Sequence, residues 1–237
     1  MKDGFICVID SGIGGLAVLK ELIKKAPTEK YLYFGDNLNA PYGNKSKRKL
    51  WELTLNNLVY LSQFKLKAMV VGCNTLSVNF VNEIQQFLGV KTFGVFPPVE
   101  SAIINHKNPL LICTNSTAKQ YDNLKGVSVL GLKNLAYEIE ENKYFLHNID
   151  LSFLAKEIHQ KNCLILGCTH YELLKNTFLS HFCPLKILCG AEYTANMVAK
   201  YLKNNKSLGK QRRFLVEFVG KNQTENRLFW EKVVKVD

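Results

Sequence analysis

AMVVGCNTLSVNF (residues 68–80) and CLILGCTHYELLK (residues 163–175) are two stretches of this sequence that follow one pattern. In each, an apolar run ends in Gly-Cys, a short polar residue follows, and apolar residues with helical spacing come next. Continuous apolar runs that pass directly into helices are typical of strands buried in a parallel sheet. The pattern therefore places Cys73 and Cys168 at strand-to-helix junctions, and we predict one such junction in each of two similar lobes.

Short apolar runs elsewhere in the chain predict seven more strands. They are separated by stretches with helical periodicity, among them residues 116–124 and 170–180, each of which predicts one helix. These runs are FICVI (5–9), YLYFG (31–35), KTFGV (91–95), LLIC (110–113), VSVLG (127–131), LKIL (185–188) and FLVEFV (214–219). Nine strands are many for one small sheet, so we predict an α/β fold with two similar lobes, each a mostly parallel sheet flanked by helices, and an active site in the cleft between them. The first lobe is assigned to residues 1–95 plus 207–237, and the second to residues 96–206.

The composition of the 237-residue chain is that of a protein with a real core, since 47% of its residues are hydrophobic. The formal net charge of +11 suits nucleic acid, an anionic membrane surface or an acidic small substrate, and does not choose among them. No run of about 18 apolar residues and no signal peptide are visible, so we expect a cytoplasmic protein without a membrane segment. The seven cysteines form no C-x-x-C pair, so neither a disulfide scaffold nor a metal site is expected.

Polar and reactive residues follow the predicted strands, at the carboxyl ends where open parallel sheets bind ligands. They are Asp10-Ser11-Gly12, Asp36, Pro41-Tyr42-Gly43, Cys73-Asn74-Thr75, Thr114-Asn115-Ser116-Thr117 and Cys168-Thr169-His170. Inversion of a carbon centre needs a base on one face and an acid on the other, which two similar lobes with one thiol each would supply. A carboxylate at Asp10 or Asp36 and the imidazole of His170 would help the thiols to exchange protons. A redox pair of thiols is the alternative.

Five motifs occur in order over about three-quarters of the chain. They are Asp10-Ser11-Gly12-x-Gly14-Gly15-Leu16, Gly35-Asp36, Pro41-Tyr42-Gly43, Cys73-Asn74-Thr75 and Leu166-Gly167-Cys168-Thr169-His170-Tyr171. Because it carries this set of motifs, the sequence resembles the glutamate racemases within the family of cofactor-independent amino-acid racemases. The resemblance implies interconversion of L- and D-glutamate without a cofactor, and a role in peptidoglycan synthesis. It implies a small-molecule partner, glutamate, with no required nucleic acid and no membrane, and it is compatible with a homodimer.

The resemblance also implies roles for single residues. Cys73 takes the α-proton from the D-enantiomer and Cys168 from the L-enantiomer, with Asp10 supporting Cys73, His170 supporting Cys168 and Asp36 assisting. A family glutamate aligns with Glu140, although Glu138 and Glu141 lie close by. The groups expected to hold the substrate are those of Asp10, Ser11, Tyr42, Gly43, Asn74, Thr75, Thr114, Thr117, Thr169 and His170. Leu76, Cys113 and Glu172 depart from the family pattern and bear on the substrate pocket.

Three other functions fit part of the sequence. The motif Gly12-x-Gly14-x-x-Ala17 follows one predicted strand, and Asp36 follows the next strand, which is the pattern of an NAD-dependent oxidoreductase. Against this, Asp10-Ser11 places a negative charge where the phosphate of the cofactor would approach. Aspartate racemases resemble the chain too, but they usually carry Glu where His170 stands. The racemase fold could also serve a non-catalytic binding protein. The basic segments 45–49 and 199–213 are interpreted as solvated surface.

Overall fold

The structure, a computed structural model, describes residues 4–183, 185–209 and 211–234. Across these residues nine strands form two fully parallel sheets, one in the order β4-β3-β1-β2-β9 and the other β6-β5-β7-β8. The strands are β1 (Phe5–Asp10), β2 (Lys30–Gly35), β3 (Leu66–Val71), β4 (Thr92–Gly94), β5 (Leu110–Thr114), β6 (Ser128–Leu132), β7 (Cys163–Gly167), β8 (Lys186–Cys189) and β9 (Leu215–Val219). The prediction of two α/β lobes with mostly parallel sheets is confirmed.

Helices connect the strands and cover both sheets. They are α1 (Gly15–Lys25), α2 (Lys47–Leu61), α3 (Asn74–Leu88), α4 (Val99–Asn105), α5 (Asn115–Ala118), α6 (Leu135–Glu141), α7 (Ala155–Ile158), α8 (Thr169–Leu173), α9 (Lys175–His181), α10 (Gly190–Asn204) and α11 (Gln223–Phe229). Single turns of 3₁₀ helix lie at Asn37–Asn39, Tyr42–Asn44 and Ser152–Leu154, a longer 3₁₀ segment at Lys143–Asn148, and a π-helical turn at Trp230–Val234.

Two predicted helices are wrong in length. The pattern over 116–124 predicted one helix, but α5 ends at Ala118 and the chain continues in turns to Gly126, whose φ of +89° favours glycine. The pattern over 170–180 also predicted one helix. The structure has two, α8 and α9, because the backbone of Leu174 departs from helical geometry (φ −91°, ψ 9°). Local apolar spacing does not report such breaks.

Strand order brings the functional segments to one edge of each sheet. β1 lies between β2 and β3, so that Asp10 ends beside Gly35, and the Gly72 N–H donates to the Ile9 carbonyl. In the second sheet β5 lies beside β7, with Cys113 opposite Gly167. The residues that follow these strands therefore meet at the carboxyl edges, as expected for parallel sheets.

Helix α1 joins the two lobes through the core. Its buried side chains, among them Leu16 and Leu19, belong to an apolar cluster that includes Val8 of the first sheet and Ile112 of the second. α10, which follows the second sheet, packs along α1. The last strand, β9, pairs with β2 in the first sheet. The exact lobe boundaries, 1–95 plus 207–237 and 96–206, stay a prediction.

Within the described ranges, no helix is long and apolar enough to cross a membrane. The same residues contain no group of three or more His, Cys, Asp or Glu side chains placed to hold a metal ion. Of the basic segment 199–213, Lys210 lies outside the described residues.

Candidate active site

Cys73 is the first of the two junction cysteines, and it precedes α3 at its N-cap position with only 6% of its surface exposed. Burial and the negative charges of Asp10 and Cys168 raise the pKa of the Cys73 thiol to about 12. Hydrogen bonds from the Leu76 N–H and the Ser11 hydroxyl act in the opposite direction and are too weak to cancel this. The surroundings of Cys73 therefore favour the protonated thiol over the thiolate.

Asp10 ends β1 beside Cys73 and is 1% exposed. Its Oδ1 accepts from the Gly12 N–H at 2.8 Å. Its Oδ2 accepts from the Thr169 hydroxyl at 3.2 Å, a contact that joins the end of β1 to the second cysteine motif across the lobes. Burial raises the pKa of Asp10, and the positive charge of His170 and the Gly12 N–H only partly offset it. A carboxylate with a raised pKa beside a thiol is suited to exchange a proton with it.

Cys168 precedes α8 in the same way that Cys73 precedes α3, and it too is 6% exposed. Its Sγ lies 3.9 Å from Nδ1 of His170, whose Nε2 lies 2.6 Å from Oε1 of Glu140. Burial alone would lower the pKa of His170, but the hydrogen bonds and charges of Cys168 and Glu140 raise it well above its usual value. His170 therefore presents an imidazolium to the Cys168 sulfur, an arrangement suited to stabilise a thiolate.

Glu140, rather than Glu138 or the exposed Glu141, lies against His170. The same Oε1 atom accepts from the Ile13 N–H at 2.8 Å. This contact requires glycine nearby, because a Cβ at Gly12 would lie 1.7 Å from the Glu140 Oε1 atom. The Glu140 carboxylate thus occupies the N-terminal end of α1, where a dinucleotide phosphate would have to bind, which argues against the oxidoreductase alternative.

Hydroxyl groups from both lobes form a second polar cluster. Oγ1 of Thr75 lies 3.1 Å from Oγ1 of Thr114, which in turn donates to Thr117 at 3.2 Å. Gly43 packs so closely that a Cβ there would lie 2.5 Å from the Thr114 side chain. Asn74 donates to the Val95 carbonyl at 3.1 Å, while its buried Oδ1 has no hydrogen-bond partner among the described residues. An unsatisfied buried acceptor is a site where a bound ammonium group would be stabilised.

Asp36 does not contact either thiol. Its Oδ2 accepts from the Tyr42 hydroxyl at 2.5 Å, and the amides of Asn39 and Asn57 also donate to its carboxylate. The Asp36 carboxylate is therefore tied to Tyr42, while the Asp36 N–H donates to the Asp10 carbonyl at 3.1 Å. Sequence reasoning missed Asn57, although it falls seven residues after the buried Leu50 and so lies near the buried face of α2. A polar residue at such a position was the available signal.

The three departures from the family pattern lie in different surroundings. Oε1 of Glu172 accepts from the N–H groups of Gly190 and Ala191 and caps α10, although burial still raises its pKa to about 8. Leu76 packs in the apolar core of the first lobe. Cys113 is fully buried in β5, which raises the pKa of its thiol to about 12.

The assembled site is closed. The groups of Asp10, Thr75, Thr169 and His170 are each no more than 2% exposed. A Cβ at Gly14 would lie 2.6 Å from Nδ1 of His170, so the loop between β1 and α1 packs directly on the second cysteine motif. These groups are thus shielded from solvent while the lobes are in contact.

Comparisons with known proteins agree with this geometry. No family model matches the sequence. The sequence is 34% identical over 229 residues to glutamate racemase 2 of Bacillus subtilis, and the match covers 89% of this chain and 85% of that protein. The fold is similar to that of glutamate racemase from Thermus thermophilus solved in complex with β-chloro-D-alanine, with a TM-score of 0.80 and 29% identity over 99% of this chain and 94% of that one. For a glutamate racemase isoform of Bacillus anthracis the TM-score is 0.79 and the identity 28%, over 98% and 92% of the two chains.

Two parallel α/β lobes that enclose a pair of thiols, together with these similarities, define the class: an amino-acid racemase, which is an isomerase acting on a small molecule. Because a relative more than 30% identical is covered over most of its length, the chain belongs to the glutamate racemase family.

Proposed function

We propose that the protein interconverts L- and D-glutamate by a two-base mechanism in which Cys73 and Cys168 act on opposite faces of the α-carbon. The observation that carries this proposal is the pairing of each buried thiol with its own proton partner. Asp10 lies beside Cys73, and the His170–Glu140 pair lies beside Cys168. The two thiols follow strands of different sheets, which supports their action on different sides of a substrate.

In the direction from L- to D-glutamate, the Cys168 thiolate removes the α-proton, and the electron pair of the C–H bond is delocalised into the α-carboxylate. The Cys73 thiol then donates its proton to the opposite face, and the roles are exchanged for the reverse reaction. Before the next L-enantiomer reacts, Asp10 passes a proton from solvent to Cys73. Cys168 releases its proton to solvent, which leaves its thiolate paired with the imidazolium of His170. The high pKa of Cys73 supports a resting form that is ready for the L-enantiomer.

The hydroxyl cluster and the unpartnered Oδ1 of Asn74 support binding of the charged ends of glutamate. The threonine hydroxyls and the helix N-terminal N–H groups of α3 suit a carboxylate, whereas an amide oxygen suits the ammonium. Ser11, Tyr42, Gly43, Thr117 and Thr169 complete the proposed substrate contacts.

The biological setting is part of the same proposal. By its resemblance to the family, the protein supplies D-glutamate for peptidoglycan in a bacterial cytoplasm, without a cofactor. Assembly as a homodimer is included on the same ground. These statements rest on family membership and not on a contact within this chain.

Incubation with each glutamate enantiomer in heavy water tests the reaction. We expect both enantiomers to reach an optically inactive mixture, because the two have equal free energies, and to acquire deuterium at the α-carbon. Parallel samples with L- and D-aspartate test the alternative substrate. The proposal fails if glutamate keeps its optical rotation and its α-proton while the protein is folded by circular dichroism.

Substitution of Glu140 by glutamine tests the proposed His170–Glu140 pair. The Glu140 charge raises the pKa of His170, so Glu140→Gln lowers it. Activity that needs the imidazolium is lost as pH rises through this pKa, and the basic limb of the kcat profile should therefore move to lower pH. We also expect kcat to fall by roughly ten- to a hundredfold.

Glu141→Gln is the matched control, since Glu141 is exposed on the same helix. Its pH profile should coincide with that of the unmodified protein. Identical profiles for Glu140→Gln and Glu141→Gln would contradict the role given to Glu140.

A further inference from the structure

A cavity of about 450 Å³ lies between the two lobes beside the hydroxyl cluster of the active site. Lys45 and Lys47 line it from the first lobe, and Lys119 and Lys133 from the second. Gly43 also lines the cavity and packs against Thr114, so the cavity borders the substrate site at the contact between the lobes. We call this space the lysine cavity.

Within the part of the chain that the structure describes, the four lysines have no acidic partner. The residues that line the cavity include no Asp or Glu. Among the described residues, no carboxylate lies within 4.0 Å of any of the four ammonium groups. Lys47 instead has its Nζ 5.7 Å from the ring centroid of Phe80. Four like charges around one concave space repel each other and concentrate anions there.

The walls of the lysine cavity are joined across the lobes. The side-chain amide of Asn44 donates to the Lys133 carbonyl at 2.8 Å, and that of Asn79 to the Ser116 hydroxyl at 3.5 Å. The lining therefore combines four cations with neutral amide and hydroxyl donors, and it exists in this form only while the lobes are together.

We propose that the lysine cavity binds a small anion carrying two or more phosphate groups, which bridges the lobes and holds the active site closed. Because Asp10, Thr169 and His170 are buried while the lobes are in contact, an anion that holds the lobes together inhibits the enzyme by slowing substrate exchange. The ligand class follows from charge and size. One carboxylate leaves most of the four ammonium groups unpaired, whereas a diphosphate supplies several negative oxygens within a space of this volume. A nucleic acid would need an extended basic groove, whereas these four lysines surround a single open cleft of about 450 Å³.

Isothermal titration calorimetry with inorganic pyrophosphate at constant ionic strength tests this binding. We expect a saturable 1:1 isotherm, and a fall in kcat/KM for glutamate over the same concentration range. Lys119→Gln and Lys133→Gln should each weaken binding about tenfold, the loss expected for one charge-assisted hydrogen bond. Both lysines are exposed, so the variants keep the fold. Lys125→Gln, also exposed in the second lobe and outside the cavity, is the matched control and should bind as the unmodified protein does.

The calorimetric readout does not depend on racemase activity, so failure of the proposed reaction would leave this test intact. ADP carries the same diphosphate as an ester. Tighter binding of ADP than of pyrophosphate would identify an ester as the ligand, and weaker binding would identify the free diphosphate. The proposal is overturned if pyrophosphate shows no saturable binding, if Lys125→Gln weakens it as much as Lys119→Gln does, or if only a single-stranded oligonucleotide binds.

Discussion

Cys73→Ser and Cys168→Ser should each lower the rate of glutamate racemisation by about a thousandfold or more, in both directions. In the proposed mechanism each thiol acts as base in one direction and as acid in the other, and loss of one general acid–base group costs roughly 10² to 10⁴ in rate. A serine hydroxyl keeps the size of the side chain but ionises far less readily than a thiol. Polarimetry with both enantiomers and circular dichroism of the folded variants are the measurements.

The two variants should differ in isotope exchange, which separates a two-base mechanism from a general loss of activity. In Cys73→Ser, the remaining Cys168 should still remove and return the α-proton of L-glutamate, so that L-glutamate gains deuterium in heavy water without inversion. In Cys168→Ser, D-glutamate should behave in this way. The opposite assignment would reverse the faces given to the two thiols.

Cys183→Ser is the control for this pair of variants, because Cys183 is an exposed free thiol that lies in neither motif. Its racemisation rate should equal that of the unmodified protein. If Cys73→Ser and Cys168→Ser also retain that rate, the thiol mechanism is wrong whatever the fold.

The sequence predicted the strands well because buried parallel strands are continuous apolar runs that need no long-range information to recognise. The same reasoning placed the polar residues at the carboxyl edges, since every parallel strand delivers its following loop to the same side. Helix ends were harder to predict. The break at Leu174 depends on a local backbone departure that the apolar spacing of residues 170–180 does not show.

Contacts between elements explain what the sequence left open. Glu140 on α6 and His170 on α8 lie 2.6 Å apart because both helices follow strands of the second sheet. Their spacing along the chain does not predict this contact. The hydrogen bond from Thr169 to Asp10 crosses the lobes. The grouping of positive charges around one cleft likewise could be seen only in the structure, since Lys119 and Lys133 do not belong to either basic segment noted in the sequence.

Lys67→Met should destabilise the protein by about 3–5 kcal/mol, through the loss of an ion pair with Glu29 that is buried at the amino ends of β2 and β3. Lys67 is 4% exposed and Glu29 is 1% exposed. In the variant, the Glu29 carboxylate would therefore remain in the interior without a cation. The pair also holds the segment that returns to the first lobe, because Lys67 donates to the Ser207 carbonyl at 3.0 Å and Glu29 accepts from the Gly209 N–H at 2.6 Å. Thermal unfolding should show a midpoint lower by roughly 6–20 °C.

The comparison that decides the cause is the double variant Lys67→Met/Glu29→Gln. Glutamine keeps an acceptor for the Gly209 N–H and removes the charge, so that most of the lost stability should return if the unpaired carboxylate is the cause. Lys49→Met provides a matched surface control, since the Lys49–Glu52 pair is about half exposed and should contribute less than about 1 kcal/mol. Equal losses for Lys67→Met and the double variant would show that lost packing of the lysine stem, and not the buried charge, is what destabilises the fold. The folded fraction of each variant should racemise glutamate at the normal rate, because this pair lies at the end of the strands opposite the thiols.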